Sequence, residues 1–196
     1  GTEGRHMHYY KNGRLGRIKG SEGLSHIHQI ELQNDSTLWV VTGRDFAYRC
    51  HTSISSGIPS IAAIDSIEFR STFKVRTQIF NIEIQNDSTI WFGSKGRGCL
   101  IYHTNTGKSD LLHFPKEYGV AINEITHISN YSDIAIDTRN SIAIYNPERD
   151  LISIIESPTH ISAKATLKDS KGNLWVSTGS GIAVLDSNYR FLKSYG

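Results

Sequence analysis

Four basic residues recur at related places along the chain: Arg44, Lys95, Arg97 and Arg139. They follow short runs rich in Ile, Val, Trp or Phe, so each would lie in a loop after a β-strand if those runs are strands. An arginine guanidinium can bind a carboxylate or sulfate through two parallel hydrogen bonds. On one shared surface, these residues would suit an acidic or sulfated oligosaccharide, and Tyr118 is a further candidate for sugar contact. The alternative is that they are solvated turn residues.

The runs that precede these loops belong to a degenerate internal repeat. Asn-Asp-Ser-Thr occurs at residues 34–37 and 86–89, and each copy leads into a tryptophan, Trp39 or Trp91. A third copy contains Trp175, and a weaker copy without tryptophan is centred on Ala135. The successive spacings of these four positions are 52, 44 and 40 residues. Such a period is typical of a four-stranded propeller blade.

The composition of each copy indicates the fold. Short runs of β-branched and aromatic residues alternate with Gly, Asn, Asp and Ser, and no run has the length and period of a convincing helix. We therefore predict an all-β chain: a β-propeller of four-stranded antiparallel blades, with about four blades plus a partial one. The Asn-Asp-Ser and Ser-Lys-Gly-Asn tracts are predicted hairpin turns, where Asn, Asp and Gly tolerate positive φ.

The repeat also predicts how the chain is divided. The predicted blades span residues 20–70, 71–114, 115–156 and 157–196, and residues 1–19 would be the end of a preceding blade together with residues that cloning could have added. Four blades fall short of a typical closed ring, so we expect an open or partial propeller that is a fragment of a larger ring. The alternative is a homodimer formed through exposed blade edges.

Large and sulfur-containing side chains are predicted to lie in the core. We expect Trp39, Trp91 and Trp175 to pack between neighbouring blades, where aromatic burial contributes most to stability. Cys50 and Cys99 follow the first two tryptophans on predicted third strands. Third strands of adjacent blades usually lie farther apart than the roughly 7 Å between Cα atoms that a disulfide allows, so we predict two buried thiols.

Composition and charge bear on several function classes. The net charge of +2 is small and the basic residues are dispersed, so we predict no nucleic-acid partner. No apolar stretch reaches the length of a membrane span. His26 and His28 have the spacing of some metal ligands, but a third ligand is not evident, so neither a metal nor a cofactor is predicted. No nucleophile lies in a recognisable strained turn, so we expect no catalytic activity in this chain.

The third copy of the repeat carries a resemblance to a known family. Residues 169–182 read Asp-Ser-Lys-Gly-Asn-Leu-Trp-Val-Ser-Thr-Gly-Ser-Gly-Ile, which is similar to the two-component regulator propeller repeat and departs from it mainly at Ser177, where Gly is usual. The resemblance implies a periplasmic sensor region of a bacterial hybrid two-component system. It further implies a membrane-anchored parent protein with a histidine kinase module, which this chain lacks. An oligosaccharide or another small ligand would be the partner of such a region.

Two other function classes share the repeat style. A propeller lyase of the streptogramin-inactivating type would use a histidine and a divalent metal, and it closes a full ring in one chain. A protein-interaction propeller like the tryptophan-aspartate repeat proteins would carry Gly-His and Trp-Asp signatures, which are absent from these blades. Both remain alternatives to the sensor.

Overall fold

The computed structural model describes residues 6–74, 76–112, 122–127, 133–138, 141–146, 151–155 and 165–196. Its described part is almost entirely β-structure, with a single helical turn, α1 (Arg70–Phe73). The strands of the first half are β1 (His8–Lys11), β2 (Arg14–Arg17), β3 (Gln29–Asn34), β4 (Thr37–Val41), β5 (Phe46–Ser55), β6 (Ile58–Glu68), β7 (Ile79–Asn86), β8 (Thr89–Ser94), β9 (Cys99–His103) and β10 (Lys108–Leu112). Those of the second half are β11 (Ile122–His127), β12 (Ile134–Thr138), β13 (Ile142–Asn146), β14 (Leu151–Ile155), β15 (Ala165–Lys168), β16 (Leu174–Thr178), β17 (Gly181–Leu185) and β18 (Phe191–Tyr195).

These strands form four antiparallel sheets, each made of four consecutive strands. Sheet 1 is β3 to β6, sheet 2 is β7 to β10, sheet 3 is β11 to β14 and sheet 4 is β15 to β18, while β1 and β2 form a separate hairpin. The first strands of successive sheets lie side by side, since β3 contacts β7, β7 contacts β11 and β11 contacts β15. The four sheets are therefore arranged around their first strands, with later strands farther out.

A side chain links the first strands of sheets 1 and 2. The Gln29 amide donates from Nε2 to the Ile82 carbonyl oxygen over 3.0 Å, and its Oε1 accepts the Ile82 N–H over 3.0 Å. One amide side chain thus satisfies both backbone groups of a residue on the adjacent sheet, as a neighbouring strand would.

The core lies between the sheets. We call the face of each sheet that carries Trp39, Trp91, Ala135 or Trp175 its tryptophan face. In sheet 1 this face packs on Phe92 of sheet 2, and the corresponding faces of sheets 2 and 3 pack on sheets 3 and 4. Because sheets cover them on both sides, β8 and β12 are almost completely buried, which explains their apolar sequences.

Each tryptophan is also tied to its own sheet by a hydrogen bond. The indole Nε1 of Trp39 donates to Gln33 Oε1 over 2.9 Å, and that of Trp91 donates to Gln85 Oε1 over 2.9 Å. In sheet 4 the acceptor is a carboxylate, Asp169 Oδ2, again at 2.9 Å. The acceptor lies six residues before the tryptophan in all three repeats.

The prediction that all three tryptophans lie between sheets is confirmed for Trp39 and Trp91, which are 0% and 1% exposed. It is wrong for Trp175, which is only partly buried and stacks on Tyr195 of its own sheet, with ring centroids 6.0 Å apart. The reason is that the tryptophan face of sheet 4 is open to solvent at this position. Leu167, on the same face, is 68% exposed.

The hairpin turns lie where the sequence predicts them, but the conformational reason differs. Asn34 and Asn86 do not have positive φ. Instead, the side-chain Oδ1 of Asn34 accepts the Ser36 N–H over 3.0 Å, and that of Asn86 accepts the Ser88 N–H over 2.9 Å. These are Asx turns, in which the side chain replaces a backbone acceptor. The third turn does use positive φ, at Gly172 (φ 83°).

Cys50 and Cys99 are free and buried, which confirms the prediction of two thiols. Burial raises the pKa of Cys50 to about 12 and raises that of Cys99 as well. Among the described residues no helix could cross a membrane, because α1, a single turn, is far too short. The division of the chain at the predicted blade boundaries stays a prediction.

Candidate functional site

The candidate site is formed by loops at one end of sheets 1 and 2. Residues 42–45 join β4 to β5, residues 76–78 lead into β7, and residues 95–98 join β8 to β9. The segment before β7 is held on both sides: Ile79 N–H donates to the Arg44 carbonyl over 3.1 Å, and Lys95 N–H donates to the Gln78 carbonyl over 2.9 Å. Backbone hydrogen bonds therefore bring the Arg44 and Lys95 loops to the same end of the molecule.

A cavity of about 460 Å³ opens between the first two of these segments. It is lined by residues of both: Gly43, Arg44, Asp45, Phe46, Arg76, Thr77 and Gln78. The two arginines and Gln78 are exposed, whereas Thr77 is buried and donates from Oγ1 to the Lys95 carbonyl over 3.5 Å. The lining of the cavity thus combines one buried polar residue with two exposed arginines.

The wall of this cavity requires a glycine. Gly43 has φ 68°, and a Cβ added there would lie 2.7 Å from Nε2 of His28 and 3.1 Å from the Phe80 ring. His28 and Phe80 pack edge to face with centroids 4.6 Å apart. The Arg44 loop therefore lies directly on this pair of rings, and any side chain at position 43 would force the rings or the loop to move.

Positive charge dominates the lining. Arg44 and Arg76 are opposed by a single lining carboxylate, that of Asp45. Burial raises the pKa of Tyr48, and the nearby Arg44 charge acts in the opposite direction by favouring the phenolate. With two cations and one anion in its wall, the cavity favours an anionic ligand group over a cationic one.

The structure places some of the residues predicted from sequence close together. Arg44 lines the cavity, and Lys95 lies on the adjoining loop, exposed. Arg97 is exposed on the same loop as Lys95. Arg139 and Tyr118 fall outside the described residues, so their place in the site stays a prediction.

Of the residues that line the cavity, the sequence-based prediction named only Arg44, and the most informative of those that it missed are Arg76 and Gln78. The prediction concerned only loops that follow the repeated strands, whereas both of these residues lie in the segment that leads into β7. A basic residue three positions before β7 was an available signal.

The sequence also raised a metal site at His26 and His28. These two residues belong to no group of three or more potential metal ligands among the residues that the structure describes.

Comparisons with known proteins show similarity in structure. No family model matches the chain, and no curated protein matches it. The chain superposes with a TM-score of 0.75 on the extracellular domain of BT4673 from B. thetaiotaomicron, described as a hybrid two-component system; the identity is 19%, over 94% of this chain and 24% of that one. For the extracellular domain of BT3049 from the same organism, of like description, the TM-score is 0.54 at 15% identity, over 100% of this chain and 33% of that one.

A third similar structure is the WD40 β-propeller domain of Doa1, with a TM-score of 0.65 and 12% identity, over 92% of this chain and 56% of that one. The chain has a β-propeller fold. This confirms the predicted all-β propeller of four-stranded antiparallel blades. Identities this low show the fold alone, and the chain spans about a quarter of the BT4673 structure and a third of the BT3049 structure.

Proposed function

We propose that this chain is a ligand-sensing propeller segment of an extracytoplasmic receptor, and that its ligand is an oligosaccharide with carboxylate or sulfate groups. The observation that carries the proposal is the cavity between the Arg44 loop and the segment containing Arg76. The shared fold with extracellular domains of hybrid two-component systems supports the sensing role. Location in the periplasm and a membrane-anchored parent with a histidine kinase module belong to the same proposal.

The chemistry of the cavity suits an anionic sugar. Two guanidinium groups offer planar forks that match carboxylate or sulfate oxygens, and Gln78 can exchange hydrogen bonds with hydroxyl groups. Phe46, half-buried in the same wall, offers an apolar surface for the face of a sugar ring. Lys95 and Arg97 on the adjoining loop would extend the basic surface toward further residues of a longer chain.

Signalling by this site would depend on the relative position of sheets 1 and 2. Arg44 belongs to a loop of sheet 1, while Arg76 lies in the connection to sheet 2. A ligand that binds both arginines links the two sheets, and it shifts the receptor between two states only as far as its affinity differs between them. The kinase module that would read this shift lies outside the present chain.

The proposal is tested by calorimetric titration of the protein with a sulfated, a uronic-acid-containing and a neutral tetrasaccharide. We expect Arg44→Ala and Arg76→Ala each to weaken binding of an anionic tetrasaccharide about tenfold or more, the loss typical of a charged hydrogen bond. Arg190→Ala, an exposed arginine of sheet 4, is the matched control and should bind as wild type does. None of the three variants should change the melting temperature appreciably, because exposed charges contribute little to stability.

Salt provides a second criterion. Binding through exposed guanidinium groups should weaken as ionic strength rises, because added salt screens the attraction. If the Arg44→Ala/Arg76→Ala double variant binds with unchanged affinity, or if the neutral tetrasaccharide binds as well as the anionic ones, the proposed ligand class is wrong.

A further inference from the structure

A second cavity lies at the opposite end of β8, between sheets 2 and 3. It has a volume of about 460 Å³, and its lining includes Trp91, Ile101, His103, Asp110 and Tyr145. We call the space between the tryptophan face of sheet 2 and sheet 3 the second cleft. The equivalent space between sheets 1 and 2, beside Trp39, is the first cleft.

The two clefts have the same aromatic frame. In the first cleft, Trp39 meets Tyr102 of the next sheet edge to face, with centroids 5.8 Å apart. In the second cleft, Trp91 meets Tyr145 of the next sheet in the same way at 5.3 Å. Each tyrosine lies on the third strand of its sheet, so the clefts are equivalent positions of the repeat.

The first cleft is filled by a cation from its own sheet. Arg49 is the cross-strand partner of Trp39, and its guanidinium carbon lies 5.9 Å from the centre of the indole ring. This is within the distance at which a cation is attracted to the electron-rich face of an aromatic ring. The Arg49 side chain is half-buried there, and its Nε is enclosed without a hydrogen-bond partner among the described residues.

Among the described residues, the second cleft has no cation at the equivalent position. Ile101 is the cross-strand partner of Trp91 and so takes the position that Arg49 has in the first cleft. An isoleucine is shorter than an arginine and uncharged, and the cavity opens beside it. The frame that holds a guanidinium in one cleft is therefore present, with space, in the other.

A carboxylate on the neighbouring strand is repeated as well. Asp65 is the cross-strand partner of Arg49, and Asp110 is the cross-strand partner of Ile101. His51 Nε2 lies 2.9 Å from Asp65 Oδ2, and His103 Nε2 lies 2.8 Å from Asp110 Oδ2. The second cleft thus has the same carboxylate and histidine, with isoleucine in place of the arginine.

We propose that the second cleft is a binding site for an alkylguanidinium group, the chemistry of an arginine side chain. The group would enter the cavity beside Trp91, which is itself only 1% exposed, with its N–H groups toward the Asp110 carboxylate, which still has accepting capacity beyond its contact with His103. The site is separate from the anion-binding cavity and takes the opposite charge. The first cleft, which contains a guanidinium group, thereby indicates the kind of group that the second cleft would bind.

The test follows the three indole N–H signals of the protein by NMR during titration with agmatine, with acetyl-Gly-Arg-Gly-amide, and with neutral N-butylurea. We expect a saturable shift of the Trp91 indole signal with either guanidinium compound, with a dissociation constant in the millimolar range, about that of a small fragment. A response to agmatine alone would indicate a free metabolite, and a response to the peptide as well would indicate an arginine side chain. N-butylurea should give a response at least about tenfold weaker, because it lacks the charge.

Variants separate this site from adventitious binding. Ile101→Arg should abolish the Trp91 response by filling the cleft, while Ile101→Leu, which keeps the volume, should preserve it. Asp110→Asn should weaken binding several-fold, whereas Asp65→Asn, the same change in the first cleft, should leave the Trp91 response unchanged. Conversely, Arg49→Ile should make the Trp39 indole respond.

The exposed positions of Asp110 and Asp65 keep the test valid even if a substitution within a cleft prevents folding. Equal responses of the Trp91 indole signal to N-butylurea and to the guanidinium compounds would overturn the proposal. It would also fail if folded Ile101→Arg protein still binds agmatine, or if Asp110→Asn and Asp65→Asn have the same effect.

Discussion

Replacing Trp39 with alanine should destabilise the protein much more than replacing Trp175, although the two residues occupy the same place in the repeat. Trp39 has no exposed surface and contacts Phe92 and Tyr102 of sheet 2. Trp175 is partly exposed and stacks on its own sheet. Both substitutions also remove an indole N–H hydrogen bond, to an amide oxygen for Trp39 and to a carboxylate for Trp175. Because the bond to the carboxylate is the stronger one, a larger loss at Trp39 must come from packing between sheets.

The expected magnitudes follow from burial and cavity formation. Truncation of a buried tryptophan costs about 3–5 kcal/mol, and a residual cavity of roughly 100 Å³ at ~24 cal/mol per Å³ accounts for ~2.4 kcal/mol of it. Trp175→Ala leaves an open surface instead of an enclosed cavity, so that part is absent. We therefore expect about 3–5 kcal/mol for Trp39→Ala and about 2 kcal/mol less for Trp175→Ala.

The assay is urea unfolding followed by far-UV circular dichroism, with the free energy of unfolding extrapolated to water. If Trp39→Ala does not fold, Trp39→Phe, which keeps an aromatic ring in the first cleft, takes its place in the comparison. It should lower the free energy of unfolding more than Trp175→Phe does. Equal losses for the two positions, in either pair, would refute the assignment of Trp39 to the packing between sheets and of Trp175 to an uncovered face.

Three further outcomes are expected. Gln29→Ala should cost about 1–3 kcal/mol by leaving the Ile82 backbone groups without their partner; hydrogen exchange at the Ile82 amide should accelerate, and unchanged exchange would contradict the link. Hydrogen bonds led by that from Trp175 lower the pKa of Asp169 to about 2, so its stabilising effect is complete above its unfolded pKa of about 4 and disappears as pH falls toward 2. Asp169→Asn should therefore be less stable than wild type at pH 7 but nearly equal at pH 2 in urea unfolding; a constant difference would argue against this origin. Cys50 and Cys99, with raised pKa values, should react with a disulfide reagent at pH 8 far more slowly than in urea-unfolded protein, and rapid labelling of the native chain would show that they are accessible.

The sequence was sufficient for the fold because its informative residues act locally. Each Asn-Asp-Ser turn and each β-branched run can be recognised within a few residues of sequence, and their repetition shows that they form one unit. The fate of Trp175 was not predictable in this way, since its burial depends on what covers the sheet and not on its own repeat. Arg76 was missed for a related reason: it lies in a connection without periodicity, and only the hydrogen bonds around Ile79 place it beside Arg44.

The restriction of each sheet to consecutive strands has a consequence for how the chain folds and how such a chain grows in evolution. Every strand pair in the described sheets joins neighbours in sequence, so the loops that must close are short and contact order is low for an all-β protein. Each repeat can pair its strands before it docks on the next, and the tryptophan hydrogen bond spans only six residues within the first hairpin of its repeat. Duplication of one repeat therefore adds a unit whose strands pair with one another. A single substitution within that unit, such as isoleucine at position 101 where the first repeat has Arg49, can then change one cleft without disturbing the others.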